Sequence, residues 1–121
     1  METVKKFVIQ KHSAANGLHW DLMFEAGTVL ETYRLEMPPE KLSEQASPAV
    51  KIFDHPLKFL TYEGSVNQGK GRVEIADTGT YQLLGRSETH KETQINGKIL
   101  KGRFTLTHIK ENQWEFTPVS S

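Results

Sequence analysis

Between Leu18 and Glu25 every second residue is large and apolar: Leu18, Trp20, Leu22 and Phe24 alternate with His19, Asp21, Met23 and Glu25. A two-residue period fits a β-strand and no helix, because only a strand sends successive side chains to opposite faces. The segment is therefore expected to lay one face on a core and to hold His19 and Asp21 side by side on the other.

The rest of the chain repeats that theme. Strand-like runs enriched in β-branched and aromatic residues cover 4–12, 49–53, 71–77, 80–88, 90–95, 98–109 and 112–118. Turns are expected at Ala26-Gly27, Thr78-Gly79, Asn96-Gly97 and Lys110–Asn112. The best helix signal is 37–49, two or three turns entered at Pro38-Pro39, favoured by Glu40 at its positive end and closed by Pro48. A further turn or single helical turn is expected over 54–59, with Asp54 as its cap. About nine short strands and one short flanking helix predict a mainly β fold, a small antiparallel barrel or sandwich. Trp20 and Trp114 are expected in its core.

Length and composition bound the function. At 121 residues the chain makes one domain, residues 1–121, with 36% hydrophobic and 25% charged residues. No apolar run approaches the roughly 20 residues of a membrane-spanning helix, and no signal peptide is recognisable. The absence of cysteine excludes thiolate catalysis and disulfides, and fits a cytoplasmic protein. A net charge of zero argues against a strongly basic nucleic-acid binder, although Lys5, Lys6 and Lys11, and Lys98, Lys101 and Arg103, form two local clusters.

The chemistry concentrates in "KHSAANGLHWDLMFE", residues 11–25. His19 and Asp21 share a strand face, and a loop of about five residues can return His12 beside them. Two imidazoles and a carboxylate leave coordination positions open for water or substrate, and would admit manganese, zinc, cobalt or iron. The same three residues also make an ordinary solvent-exposed polar face. Two further features stand nearby in sequence. In "DHPLKF" a proline stiffens the backbone after His55. In "YEGSVNQGKG" three glycines surround Ser65, Asn67, Gln68 and Lys70, either as a phosphate-binding loop or as a plain hairpin connection.

The islands Gln10-Lys11-His12, Leu18-His19-Trp20-Asp21, Asp54-His55-Pro56-Leu57 and Glu63-Gly64-Ser65 occur in an order that resembles the 3′-phosphoesterase domain family of bacterial DNA ligase D. The resemblance implies a β-barrel acting on DNA or RNA 3′ ends that carry a 3′-phosphate or 3′-ribonucleotide, with a divalent metal, manganese favoured. It places His12, His19 and Asp21 at the metal ligands, His19 and His55 at the catalytic positions, and His55 against the scissile phosphate. Expected partners are nucleic-acid 3′ ends and separate ligase or polymerase proteins, with no membrane and a monomeric state.

The chain departs from the pattern at the phosphate. The family's arginine two positions beyond the aspartate falls on Met23, and its tyrosine four beyond the second histidine falls on Phe59. Arg34, Lys70 and Arg72 are the candidate replacements. The resemblance thus supports a divergent metal-dependent phosphoesterase, and alternatively a catalytically impaired metal- or nucleic-acid-binding module of the same fold.

Overall fold

The structure, a computed structural model, describes residues 4–119. Nine strands follow in chain order: β1 (Lys5–Ala14), β2 (Gly17–Ala26), β3 (Val29–Leu35), β4 (Ser47–Pro56), β5 (Gly64–Val66), β6 (Gly71–Arg86), β7 (His90–Gly97), β8 (Lys101–Lys110) and β9 (Gln113–Pro118). All pair antiparallel, in the order β1-β2-β3-β4-β9-β8-β7-β6-β5, and β6 also pairs with β1. That pairing closes eight strands into a barrel and leaves β5 as a short addition to β6. Closure satisfies the backbone donors and acceptors that a sheet edge would leave open.

Alternation along the strands builds two apolar layers. Phe7, Ile9, Leu22, Phe24, Tyr33 and Phe116 point into the barrel and form the main core. On the outer face of the same strands, Val8, Met23 and Leu30 are buried as well, beneath Leu57, Phe59 and Leu60 of a single 3-10 turn, Leu57–Leu60. Gln10 locks that turn down: its buried amide donates to the carbonyls of Phe59 at 3.0 Å and Tyr62 at 2.9 Å. The polar face expected of β2 is therefore interrupted at Met23, between Asp21 and Glu25. Leu18, expected in the core, is 43% exposed near the turn, whereas Trp20 and Trp114 pack against the core as expected.

Several local expectations are corrected. The helix α1 is only Pro39–Leu42, because Pro48 lies inside β4 opposite Glu115 and does not close a helix. Asp54 also lies in β4 and caps nothing; Pro56, with no side-chain cap bond, precedes the 3-10 turn. His12 and His19 are joined by a tight turn at Ala15-Asn16 and not by a five-residue loop, since both strands run on to it. The count of nine strands holds with a different division. The chain does not turn at Thr78-Gly79, and β6 runs straight through. Nor does it turn at Asn96-Gly97: those residues end β7, and the turn is 98–100.

Both misplaced turns have one physical cause. Gly79 and Gly97 face each other where strands crowd together. A Cβ at Gly79 would come within 2.1 Å of the Asn96 carbonyl oxygen, and one at Gly97 within 2.6 Å of the Asp77 carboxylate. Here glycine serves close packing and not reversal. The real turn is gathered by Asp77, 2% exposed, which accepts backbone N–H bonds from Lys98 (2.8 Å), Ile99 (3.1 Å) and Leu100 (2.8 Å).

Candidate metal and phosphate site

The short β1–β2 hairpin places His12 directly opposite His19, and their rings lie 4.5 Å apart, tilted by 49°. His12 has room because Gly71 of β6 has no side chain: a Cβ there would sit 2.9 Å from His12 Nε2. Two residues along β2, Asp21 is 5% exposed, and its Oδ2 lies 3.5 Å from His19 Nε2. The β2–β3 hairpin then sets Arg34 opposite Asp21, with Nε 3.5 Å from Oδ1.

These contacts are ion-pair distances without hydrogen-bond alignment. His12 Nδ1, His19 Nε2, Asp21 Oδ1 and Arg34 Nε are all buried and all lack a hydrogen-bond partner. Buried polar atoms are normally paired, since an unmatched one costs about 1–3 kcal/mol. Four such atoms lie together here, and a bound ion is one thing that would satisfy them. Burial, the largest influence on His19, lowers its pKa; Asp21 opposes this, while Arg34 and His12 reinforce it. The net shift downward favours the neutral imidazole, the form that binds metals.

The donor chemistry of His12, His19 and Asp21 suits a divalent ion: two imidazoles, one carboxylate and orphaned nitrogen and oxygen atoms. Their convergence is incomplete. Among the described residues no three His, Cys, Asp or Glu side chains are already arranged to hold an ion. Orphaned donors weigh more here than convergence, because rotating an imidazole is cheap and leaving buried donors unmatched is not.

The cluster opens into a cleft of about 1100 Å³ lined by His12, His19, Arg34, Glu36, Asn67 and Lys70 among others. Two of the three candidate phosphate cations, Arg34 and Lys70, thus reach one cleft with the histidines. Arg34 is buried at Nε while its side chain is 41% exposed, so the outer guanidinium nitrogens face outward. Arg72 is not brought there. It pairs with Ser13 and Ser65 and projects opposite to Gly71 and Val73, which share the His12 face. The glycine-rich segment is a hairpin between β5 and β6 that carries Lys70 to the rim.

His55 occupies the same outer face one row further on. Its Nδ1 lies 3.1 Å from Thr32 Oγ1 and 3.0 Å from the Phe53 carbonyl. A carbonyl only accepts, so Nδ1 carries the proton, and Nε2 is the nitrogen left for other chemistry. Thr32 lies two residues along β3 from Arg34, about 7 Å. Met23, opposite Thr32, is 1% exposed, and both it and Phe59 belong to the apolar layer under the 3-10 turn. The family's two missing polar groups therefore fall together, in one hydrophobic patch beside His55.

Sequence reasoning missed two structural roles within the motifs. Gln10 anchors the 3-10 turn, and Glu63 accepts the Ile75 backbone N–H at 2.9 Å, holding the segment before β5 onto β6. Both lie in the matched islands, so motif membership was their only signal.

Comparison with known proteins agrees with the resemblance. Residues 10–108 match the family model described as the DNA ligase D 3′-phosphoesterase domain. The multifunctional non-homologous end joining protein LigD of Mycolicibacterium smegmatis is 30% identical over 123 residues, covering 90% of this chain and 16% of that protein. The Pseudomonas aeruginosa protein of the same name is 30% identical with 90% of this chain and 14% of its own length covered. The Mycobacterium tuberculosis DNA repair protein LigD is also 30% identical, with 89% and 15% covered. The chain thus spans 14–16% of the length of these relatives. It belongs to the DNA ligase D 3′-phosphoesterase domain family.

Proposed function

We propose that this member of the family is a divergent, metal-dependent phosphoesterase that processes nucleic-acid 3′ ends bearing a 3′-phosphate or 3′-ribonucleotide. The observation that carries the reading is the set of four buried atoms without a hydrogen bond on His12, His19, Asp21 and Arg34, beside an open cleft with Lys70 on its rim. Membership of a 3′-phosphoesterase domain family supports that substrate class, and the relatives that carry the domain are named as non-homologous end joining proteins. The chain spans only 14–16% of the length of those proteins, and the proposal concerns end processing alone.

His12, His19 and Asp21 would hold the ion, with manganese favoured and zinc or cobalt chemically acceptable. When bound, a divalent cation polarises a phosphoryl oxygen and makes a water more acidic. Arg34 and Lys70 bind the non-bridging oxygens and offset their charge. Asp21 orients His19 from one side, while Arg34 limits the freedom of the carboxylate from the other. His55, fixed at Nδ1, presents Nε2 to the phosphate or the leaving oxygen, accepting a proton when neutral and donating one when charged.

A second reading has its own support. Met23 and Phe59 put an apolar patch where the family pattern has an arginine and a tyrosine, and losing two polar contacts to a reacting phosphoryl group costs orders of magnitude in rate. On that reading the chain binds metal or 3′ ends with little turnover. Incubating a 3′-phosphorylated primer and a 3′-ribonucleotide primer with and without manganese, beside a His19→Ala control, separates the two. Manganese-dependent end trimming lost in the variant supports the enzyme; persistent inactivity of metal-loaded protein contradicts it.

A further inference from the structure

Phe53 is the most exposed large apolar side chain among the described residues, at 74%. It is not loosely placed. One face of its ring lies on His55, with centroids 4.6 Å apart and planes within 8° of parallel. His55 is held from behind by Phe59, edge-on at 5.7 Å, and by its Nδ1 contacts to Thr32 and the Phe53 carbonyl. The other face of Phe53 is open to solvent.

The backbone arranges this display. Between the Ile52–Thr32 and His55–Leu30 pairs the β3–β4 register slips, so Phe53 and Asp54 together oppose Glu31. A bulge of that kind re-aims side chains, and such bulges recur beside active sites. Here it turns Phe53 outward and keeps His55 on the face that carries Thr32, Arg34 and Asp21. Core packing gains nothing from an aromatic ring at this position.

A flat, open aromatic face beside a phosphate-binding imidazole suits one chemical class: a nucleobase attached to the phosphate. The nearest carboxylate in sequence, Asp54 in the same bulge, is paired with Lys51 at 3.4 Å, and further cations stand nearby. Lys58 is exposed on the adjoining 3-10 turn, with Nζ 5.4 Å from the Phe59 ring, and Arg34 lies two residues along β3 from Thr32, the His55 partner. Cations along a backbone path with an aromatic shelf between them are the recurring elements of single-strand recognition.

We propose that Phe53, backed by His55, is the stacking shelf for the nucleobase next to the scissile 3′-phosphate, so that the site takes a single-stranded or frayed nucleic-acid 3′ end in preference to a small phosphate ester. This inference rests on the 3′-end reading above, and it concerns binding, not turnover.

The test is a fluorescence titration of the full chain with a short single-stranded DNA carrying a 3′-phosphate and a 3′-terminal 2-aminopurine, which is quenched on stacking. The wild type is expected to quench the probe. Phe53→Ala should abolish the quench and weaken binding about tenfold or more, and Phe53→Trp should restore both. A matched oligonucleotide with an abasic 3′-terminal position should bind wild type and Phe53→Ala equally. Equal quenching and equal affinity in wild type and Phe53→Ala would overturn the shelf even if 3′ ends are processed. Phe53-dependent quenching without any hydrolysis would sustain the shelf while removing the catalytic reading. Failure of the wild type to bind the probe would overturn both.

Discussion

Arg34 stands directly opposite Asp21 across the β2–β3 ladder, with its Nε 3.5 Å from the Asp21 Oδ1. Arg34 thus puts a cation one row from Met23 on the same face, on the neighbouring strand. There its inner nitrogen meets the carboxylate and its outer nitrogens face the cleft.

Arg34→Ala is therefore expected to lower kcat/KM for release of phosphate from a 3′-phosphorylated primer by about a hundredfold, the scale of one charged contact to a reacting phosphoryl group. Arg34→Lys should recover only part, because a point charge does not reproduce the planar fork. Steady-state phosphate release measures both, and an unchanged rate in Arg34→Ala would remove this residue from the phosphate site.

Gly71→Ala tests whether His12 must sit where it does. The added methyl would lie 2.9 Å from His12 Nε2 and 3.3 Å from both the Ser13 carbonyl oxygen and Val66 Cγ2, and the imidazole is the closest group and the one freest to move. Manganese affinity is expected to fall about tenfold while the thermal midpoint changes little. Calorimetry and a melting curve check the two halves separately.

Much of this arrangement was legible in the sequence, and the limit is instructive. Alternation along 18–25 correctly placed Leu22 and Phe24 in the core and His19 beside Asp21. The pairing of Asp21 with Arg34 was missed by one residue of turn: the expected turn at Ala26-Gly27 would set Thr32 opposite Asp21, whereas the chain turns at Gly27-Thr28 and sets Arg34 there. What could not be read was which glycines turn the chain. Gly79 and Gly97 are small because strands crowd there, a long-range cause that no local window contains. Met23 misled for a similar reason, since the layer that buries it arrives with the 3-10 turn at Leu57–Leu60.

Asp77 carries the largest structural prediction. Its carboxylate accepts N–H bonds from three successive residues of the β7–β8 turn and from Thr78 at 2.9 Å. Asp77→Ala strands these donors in a buried setting and should cost about 2–4 kcal/mol in chemical denaturation. Asp77→Asn, which keeps one acceptor oxygen, should cost less.

The far end of the barrel predicts a pH dependence of stability. Glu31 lies 3.3 Å from both Lys91 Nζ and Arg86 Nη2, and Lys91 also donates to the Tyr33 hydroxyl at 2.6 Å. Burial pushes the Glu31 pKa up, but Lys91 and then Arg86 outweigh it, and the net direction is below the ordinary 4.5. Stability from this carboxylate is complete above that value and is lost as pH falls through the lower, folded one. Burial also holds Lys91 below 10.5 despite Glu31, so stability should rise again as pH climbs from its folded value toward 10.5. Glu31→Gln should cost about 1–3 kcal/mol at pH 7 and flatten the acid limb of a pH–stability curve.

The most direct measurement is a calorimetric titration of manganese into the metal-free chain, with His19→Ala and Asp21→Ala alongside. The site built from His12, His19 and Asp21 predicts one ion per chain, with affinity reduced at least a hundredfold in either variant. No binding at millimolar manganese or zinc, or equal affinity in His19→Ala, would contradict it.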